Sequence, residues 1–103
     1  MVSDHKGFIG KPQERAMFMG KVMNFKKVNT HYGERYIYNF ITKSGKFGAF
    51  FIEPAVEGLG EGVCFHFTGT VKRQAWNEYS KREETMFNRV KIDKIFSITE
   101  ENA

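Results

Sequence analysis

The chain reads as an all-β protein, and three observations point that way. Strand-forming residues come in short runs, such as Tyr36-Ile-Tyr-Asn-Phe-Ile-Thr42. Turn signals separate them at Asn29–Arg35 and Lys43–Lys46. The run from Val63 to Val71 also alternates, placing Val63, Phe65, Phe67 and Val71 on one face and Cys64, His66, Thr68 and Thr70 on the other.

The first strand is expected over Ala16–Val28. Its methionines would tolerate a helix, but Gly20 costs a helix about 1 kcal/mol and serves a strand as a bend at a barrel corner. A polar loop, Asn29–Arg35, leads to the second strand, Tyr36–Thr42. The tight turn Lys43-Ser-Gly-Lys46 returns the chain through Phe47–Ile52 and completes the clearest hairpin. Glu53–Gly62 breaks the pattern. Pro54 suits a first helical position and Gly58 a helix stop, so one short helical turn is expected between strands 3 and 4. Val63–Val71 is the fourth strand, Ala75–Glu84 a long polar loop and Thr85–Phe96 the last strand. Phe40, Phe50, Phe51, Phe65 and Phe67 are expected in the core, with Val22, Val71 and Val90. Which face of strand 2 points outward, Tyr36/Tyr38/Phe40 or Ile37/Asn39/Ile41, stays open.

At 103 residues the chain accommodates one domain. We place it over 16–98, between a polar N-terminal segment (1–15) and a short acidic tail (99–103). With 41% hydrophobic and 16% aromatic residues it can build a core. Its single cysteine, Cys64, excludes an internal disulfide and a cysteine-rich zinc site. No apolar run matches a signal peptide or a membrane helix, which implies a cytoplasmic setting. Neither metal nor cofactor is expected: His5, His31 and His66 lack ligand-like spacing, and Gly58-Leu-Gly-Glu-Gly62 is followed by no phosphate-binding lysine. Catalysis is not expected either, since Cys64 and His66 share a strand with no third group to orient them.

Five strands with one connection between the third and fourth describe a five-stranded Greek-key barrel of OB type. This order, with Gly20-Lys-Val and Gly69-Thr-Val-Lys72 inside strands and the spacing Tyr32-Gly33, Ser44-Gly45, Glu61-Gly62, resembles OB-fold single-stranded DNA-binding proteins of the compact phage type over about residues 15–96. The resemblance implies largely sequence-independent binding of single-stranded nucleic acid, DNA before RNA, in replication or recombination. The ending Thr99-Glu-Glu-Asn-Ala103 departs from the long acidic tail with a terminal aromatic seen in bacterial members.

An OB barrel binds across strands 2 and 3 and the 1–2 and 4–5 loops. Sequence-tolerant binding requires aromatic faces for the bases and cations along the backbone path. The 1–2 loop offers Tyr32 and Arg35. The strand 2–3 hairpin offers Tyr36, Tyr38, Lys43, Lys46 and Phe47. The 4–5 loop offers Lys72, Arg73, Trp76, Tyr79, Lys81 and Arg82. The net charge of +4 suits a polyanion. The competing expectation is a protein-interaction module, an oligomer or a phage-encoded inhibitor, that uses the same apolar face.

Overall fold

The computed structural model describes residues 7–53 and 55–96. Five strands follow in order: β1 Arg15–Thr30, β2 Gly33–Ile41, β3 Phe47–Ile52, β4 Cys64–Asn77 and β5 Arg82–Phe96. They form one sheet closed in a ring, in the order β1-β2-β3-β5-β4, with β4 returning to β1. β1 serves both neighbours. Its first half pairs with β4, its second half with β2, and Lys21 faces both Cys64 and Ile41 where the strand turns the corner. A bulge between Val22 and Asn24 sharpens that turn.

Every neighbouring pair is antiparallel except β3 and β5, which run parallel from Phe47↔Glu84 to Phe50↔Phe87. Strand 4 crosses to pair with β1, so the hairpin back into β5 gives that strand the direction of β3.

The connection between β3 and β4 departs from expectation. No helix is present among the described residues, and Pro54 lies outside them. Backbone bonds from Leu59 N to Val56 O and from Val63 N to Gly60 O close two successive turns, with Gly58 and Gly62 at positive φ. A pair of glycine turns thus replaces the helical turn. Leu59 is buried beneath them, and Val56 N donates to the Tyr38 hydroxyl at 3.1 Å, so the segment stoppers one end of the barrel.

Residues 7–14 cover the other end. Ile9 is buried; its N–H donates to Thr85 Oγ1 at 2.9 Å, and Gln74 Nε2 donates to Ile9 O and Gly10 O. Described residues 7–14 are therefore tied to the β4–β5 ribbon rather than separate from the domain. The acidic tail expected at 99–103 lies outside the described residues.

Inside, Phe40, Phe50, Phe65, Phe67 and Phe87 pack with ring centroids 5.1–6.1 Å apart. Val22 and Val71 join them, whereas Val90 is only half-buried against the cluster. The expected β4 alternation holds: Val63, Phe65, Phe67 and Val71 face inward. On β2, Tyr38 and Phe40 are fully buried, so Ile37, Asn39 and Ile41 take the outer face. Phe51 contradicts its core assignment. It follows the buried Phe50, so the two-residue period of a strand turns it outward, 39% exposed.

Candidate nucleic-acid interface

Residues opposite each other in neighbouring strands share a face, so the ladder registers define rows across the outer surface of the sheet. One row reads Asn24, Asn39, Ala49, Met86, Arg73 from β1 through β2, β3 and β5 to β4. A second, toward the β2–β3 turn, reads Lys21, Ile41, Phe47, Glu84, Ala75. On the opposite side of the first lies Lys26, Ile37, Phe51. The outer face of β2–β3 consequently carries two apolar pairs, Ile37–Phe51 and Ile41–Phe47, on either side of a middle Asn39–Ala49 row, with cations at its margins. A row spanning five strands is roughly 19 Å wide at the usual strand spacing.

Polar bonds stiffen this surface. Asn39 Nδ2 donates to Asn24 Oδ1 at 2.9 Å. Arg82 stacks its guanidinium on the Phe47 ring, 3.9 Å from the centroid, while its Nε donates to Glu84 Oε2 at 2.9 Å. Glu84 is nearly buried and also accepts from Ser80 Oγ at 3.0 Å and Asn77 Nδ2 at 2.8 Å. Asn77 Oδ1 in turn accepts from the backbone N–H groups of Tyr79 and Ser80. Together these bonds fix the turn after β4, where Lys81 adopts φ 57°.

The expected 4–5 loop is thus largely ribbon. Trp76 pairs with Glu83 and Asn77 with Arg82, leaving only residues 78–81 as the turn. Its polar composition belongs to two strands that extend beyond the barrel and face solvent on most sides. Trp76 is half-exposed, Tyr79 fully exposed, and Lys72, Arg73 and Lys81 are exposed. Lys81 Nζ lies 3.6 Å from Glu78, an exposed ion pair of little energetic weight.

The remaining predicted site residues are distributed unevenly. Tyr32 sits at the tip of the β1–β2 hairpin, 81% exposed, with the Arg35 guanidinium 5.4 Å from its ring centroid. Arg35 Nε also lies 3.4 Å from Glu53 Oε1. This tip adjoins the Tyr36↔Ile52 end of the β2–β3 ladder, whereas the β4–β5 ribbon adjoins the Phe47 end. The two tips therefore stand at opposite ends of the face. Lys43 and Lys46 lie at the β2–β3 turn, Lys43 exposed and Lys46 half-buried. Tyr38 is corrected outright: it is fully buried, its ring stacks between Phe25 and Phe50, and neither of its faces reaches a ligand. Tyr36 shares the inward register and packs against the core.

Sequence reasoning missed Phe51 and Met86 on this face, and left Ile37 open with the choice of strand 2 face. The Phe50-Phe51 doublet carried a signal, because adjacent strand residues cannot both point inward. Met86 had none, since its place depends on the parallel β3–β5 pairing.

A second outer region lies beside the first half of β1. Met17 and Met19, both more than half exposed, line a groove of about 800 Å³ with Ile41, Cys64, His66 and Phe96. The Phe96 ring lies edge-on to His66, and the Lys94 Nζ is 4.8 Å from its centroid. Among the described residues, no group of three or more His, Cys, Asp or Glu could hold a metal ion, and no helix is long and apolar enough to cross a membrane.

Comparison with protein-family models, curated proteins and solved structures returns no match to this chain.

Proposed function

We propose that this chain is a non-enzymatic OB-type domain that binds single-stranded nucleic acid, DNA in preference to RNA, inside the cell. The observation that carries the reading is the outer face of β2–β3. It sets the exposed Phe51 beside Ile37 and, across the Asn39–Ala49 row, Ile41 beside Phe47, and borders these pairs with Lys21, Lys26, Arg73 and Arg82. Apolar and aromatic faces stack any base, and cations along the margins neutralise phosphates. The ring order, in which β5 lies between β3 and β4, supports a Greek-key barrel of this type, for which strands 2 and 3 are the binding surface. Tyr79 at the ribbon tip extends the platform at the Phe47 end, with Trp76 on the ribbon's other face as a further exposed aromatic, and Tyr32 with Arg35 extends it at the other end. Lys26, Lys43, Lys72 and Lys81 supply phosphate contacts.

A duplex buries its base faces, so a stacking platform selects unpaired strands. The test is a titration of the intrinsic fluorescence, which comes from the single tryptophan Trp76, with oligo-dT, oligo-rU and duplex DNA at several salt concentrations. Single strands are expected to bind with an affinity that falls steeply as salt rises, through counterion release. Absence of binding to both single strands at low salt and micromolar protein overturns the reading.

The groove beside β1 favours a second reading, in which the chain is an interaction module for a protein or for its own copies. The exposed Met17 and Met19 supply the apolar surface for it. An apolar interface of this kind depends weakly on salt, which separates it from the first reading.

A further inference from the structure

We propose that β1 accepts a strand from a partner protein along the edge formed by Arg15, Met17 and Met19, and that the strand it takes is apolar at its centre and acidic at its ends. The inference deepens the interaction reading of the groove beside β1 and is independent of nucleic-acid binding on β2–β3.

The directions of the backbone groups carry it. In an antiparallel strand the N–H and C=O of one residue point to one neighbour, and those of the next residue to the other. Val22 points to the β4 side: its N–H donates to Val63 O at 3.0 Å, and its carbonyl accepts from Gly62 N at 2.8 Å. The β1–β4 register runs without a shift from Arg15↔Thr70 to Lys21↔Cys64, so Gly20, Phe18 and Ala16 share that direction. Lys21, Met19, Met17 and Arg15 point the opposite way. On that side the β2 ladder stops at Lys21↔Ile41, where the chain leaves for the β2–β3 turn. Among the described residues, no strand pairs with Arg15–Gly20 there. The amides of Met17 and Met19 therefore face the groove, whose two banks include Met17–Lys21 and Ile41–Ser44. A strand edge without a neighbour is a template for another strand. Its main chain supplies affinity, and alternate side chains supply specificity.

The side chains select the occupant. Met17 and Met19 stand on the outer face, 54% and 58% exposed, and offer adaptable apolar contact to alternate residues of an incoming strand. The charged residues lining the groove are Lys21 and Lys43, with no Asp or Glu among them, and acids on the incoming strand complement them. A second copy of the chain fits less well. The segment Arg15–Lys21 holds no acid, so two such edges would bring the Arg15, Lys21 and Lys43 of both copies to one seam, where like charges repel.

The probe is a fluorescein-labelled peptide, acetyl-Glu-Glu-Ile-Thr-Val-Thr-Ile-Glu-Glu-amide, titrated with the full chain by fluorescence polarisation. It is expected to bind, and its counterpart with lysine in place of every glutamate is not. Two further versions carry N-methyl groups, one on the Ile and Val amides and the other on the Thr amides. These sets point to opposite edges of an extended strand, so only one of them reaches β1. One version is expected to lose affinity by roughly tenfold or more, and the other to keep it, with no change to the protein. Met19→Pro removes an N–H that faces the groove and leaves the β4 bonds in place, so it should abolish binding, whereas Met19→Leu should retain it. Equal affinities of the two methylated peptides overturn strand addition and leave the groove an apolar contact surface. Equal binding of the lysine peptide, or displacement of the acidic peptide by oligo-dT, overturns the acidic partner. If the acidic peptide fails to bind at about 1 mM, the proposal falls. Self-association of the chain through Met19 would then keep the interaction reading with a second copy as occupant, and a monomeric chain would remove that reading too.

Discussion

The ring of Phe40 lies directly against the backbone of Gly20: a Cβ built on Gly20 would stand 2.4 Å from Phe40 Cδ2. Gly48, paired with Phe40 in the β2–β3 ladder, crowds the same ring from the other side, its Cβ falling 2.4 Å from Phe40 Cζ. The two glycines form the recess in which the central core ring sits. Gly20 thus does more than bend β1 at its corner, because its missing side chain is the space that Phe40 occupies.

Gly20→Ala is therefore expected to destabilise the protein by about 1–3 kcal/mol, as overpacking of a close-packed core does. Gly60 is the control. A Cβ there meets nothing within 4 Å, so Gly60→Ala should change stability by no more than about 0.5 kcal/mol. Urea unfolding of both variants checks the contrast, and equal stabilities would show that Phe40 can move aside at no cost.

Phe67 and Phe51 form a second pair of opposites. Phe67 is fully buried among Phe18, Phe40, Phe50, Phe65 and Phe87. Phe67→Ala should cost ~3–5 kcal/mol of stability. Phe51→Ala, at an exposed position of the outer face, should cost less than about 1 kcal/mol in the same measurement. A large loss from Phe51 would place its ring in the core and remove it from the binding surface.

Which parts of the molecule the sequence discloses follows from the range of the interactions. The β4 faces were legible because Val63 to Val71 alternates without interruption and each side chain responds to its own environment. The β2–β3 hairpin was legible because its turn is local, with Gly45 at positive φ. The β2 faces were not legible, because Tyr36, Tyr38 and Phe40 are as apolar as Ile37 and Ile41; only the pairing of Phe40 with Val22 and Gly48 decides between them. The β4–β5 ribbon read as a loop because strand residues that leave the barrel have no core to face and lose the alternating signal. Of the candidate site, the exposed members Trp76, Tyr79 and Tyr32 were found by their polar surroundings. Phe51 and Met86 were missed because a ladder register, not composition, brings them together.

Glu84 anchors the ribbon turn through Asn77, Ser80 and Arg82. Glu84→Ala removes an acceptor from charge-assisted bonds, and we expect a loss of about 1–3 kcal/mol. Amide hydrogen exchange should quicken at Tyr79 and Ser80, whose N–H groups bond to the Asn77 side chain. Unchanged exchange there would mean that the strand pairing Asn77↔Arg82 holds the turn without the carboxylate.

The last prediction separates stacking from charge neutralisation on the outer face. Trp76→Ala and Phe51→Ala should each weaken oligo-dT binding by ~1–3 kcal/mol at any salt concentration, since each removes a base-stacking surface and no charge. Lys26→Ala, at the exposed margin beside Ile37, should instead reduce the slope of log affinity against log salt by about one unit, the signature of one lost phosphate contact. Lys27→Ala should have the smaller effect, because Lys27 belongs to the Tyr36 side of β1 and its ammonium already lies 3.7 Å from Glu34. Met19→Ala, in the groove beside β1, should leave both affinity and slope unchanged. If Met19 governs oligo-dT binding while Phe51 and Lys26 do not, the strand runs along β1 and not across β2 and β3, and the outer face described here is not the binding surface.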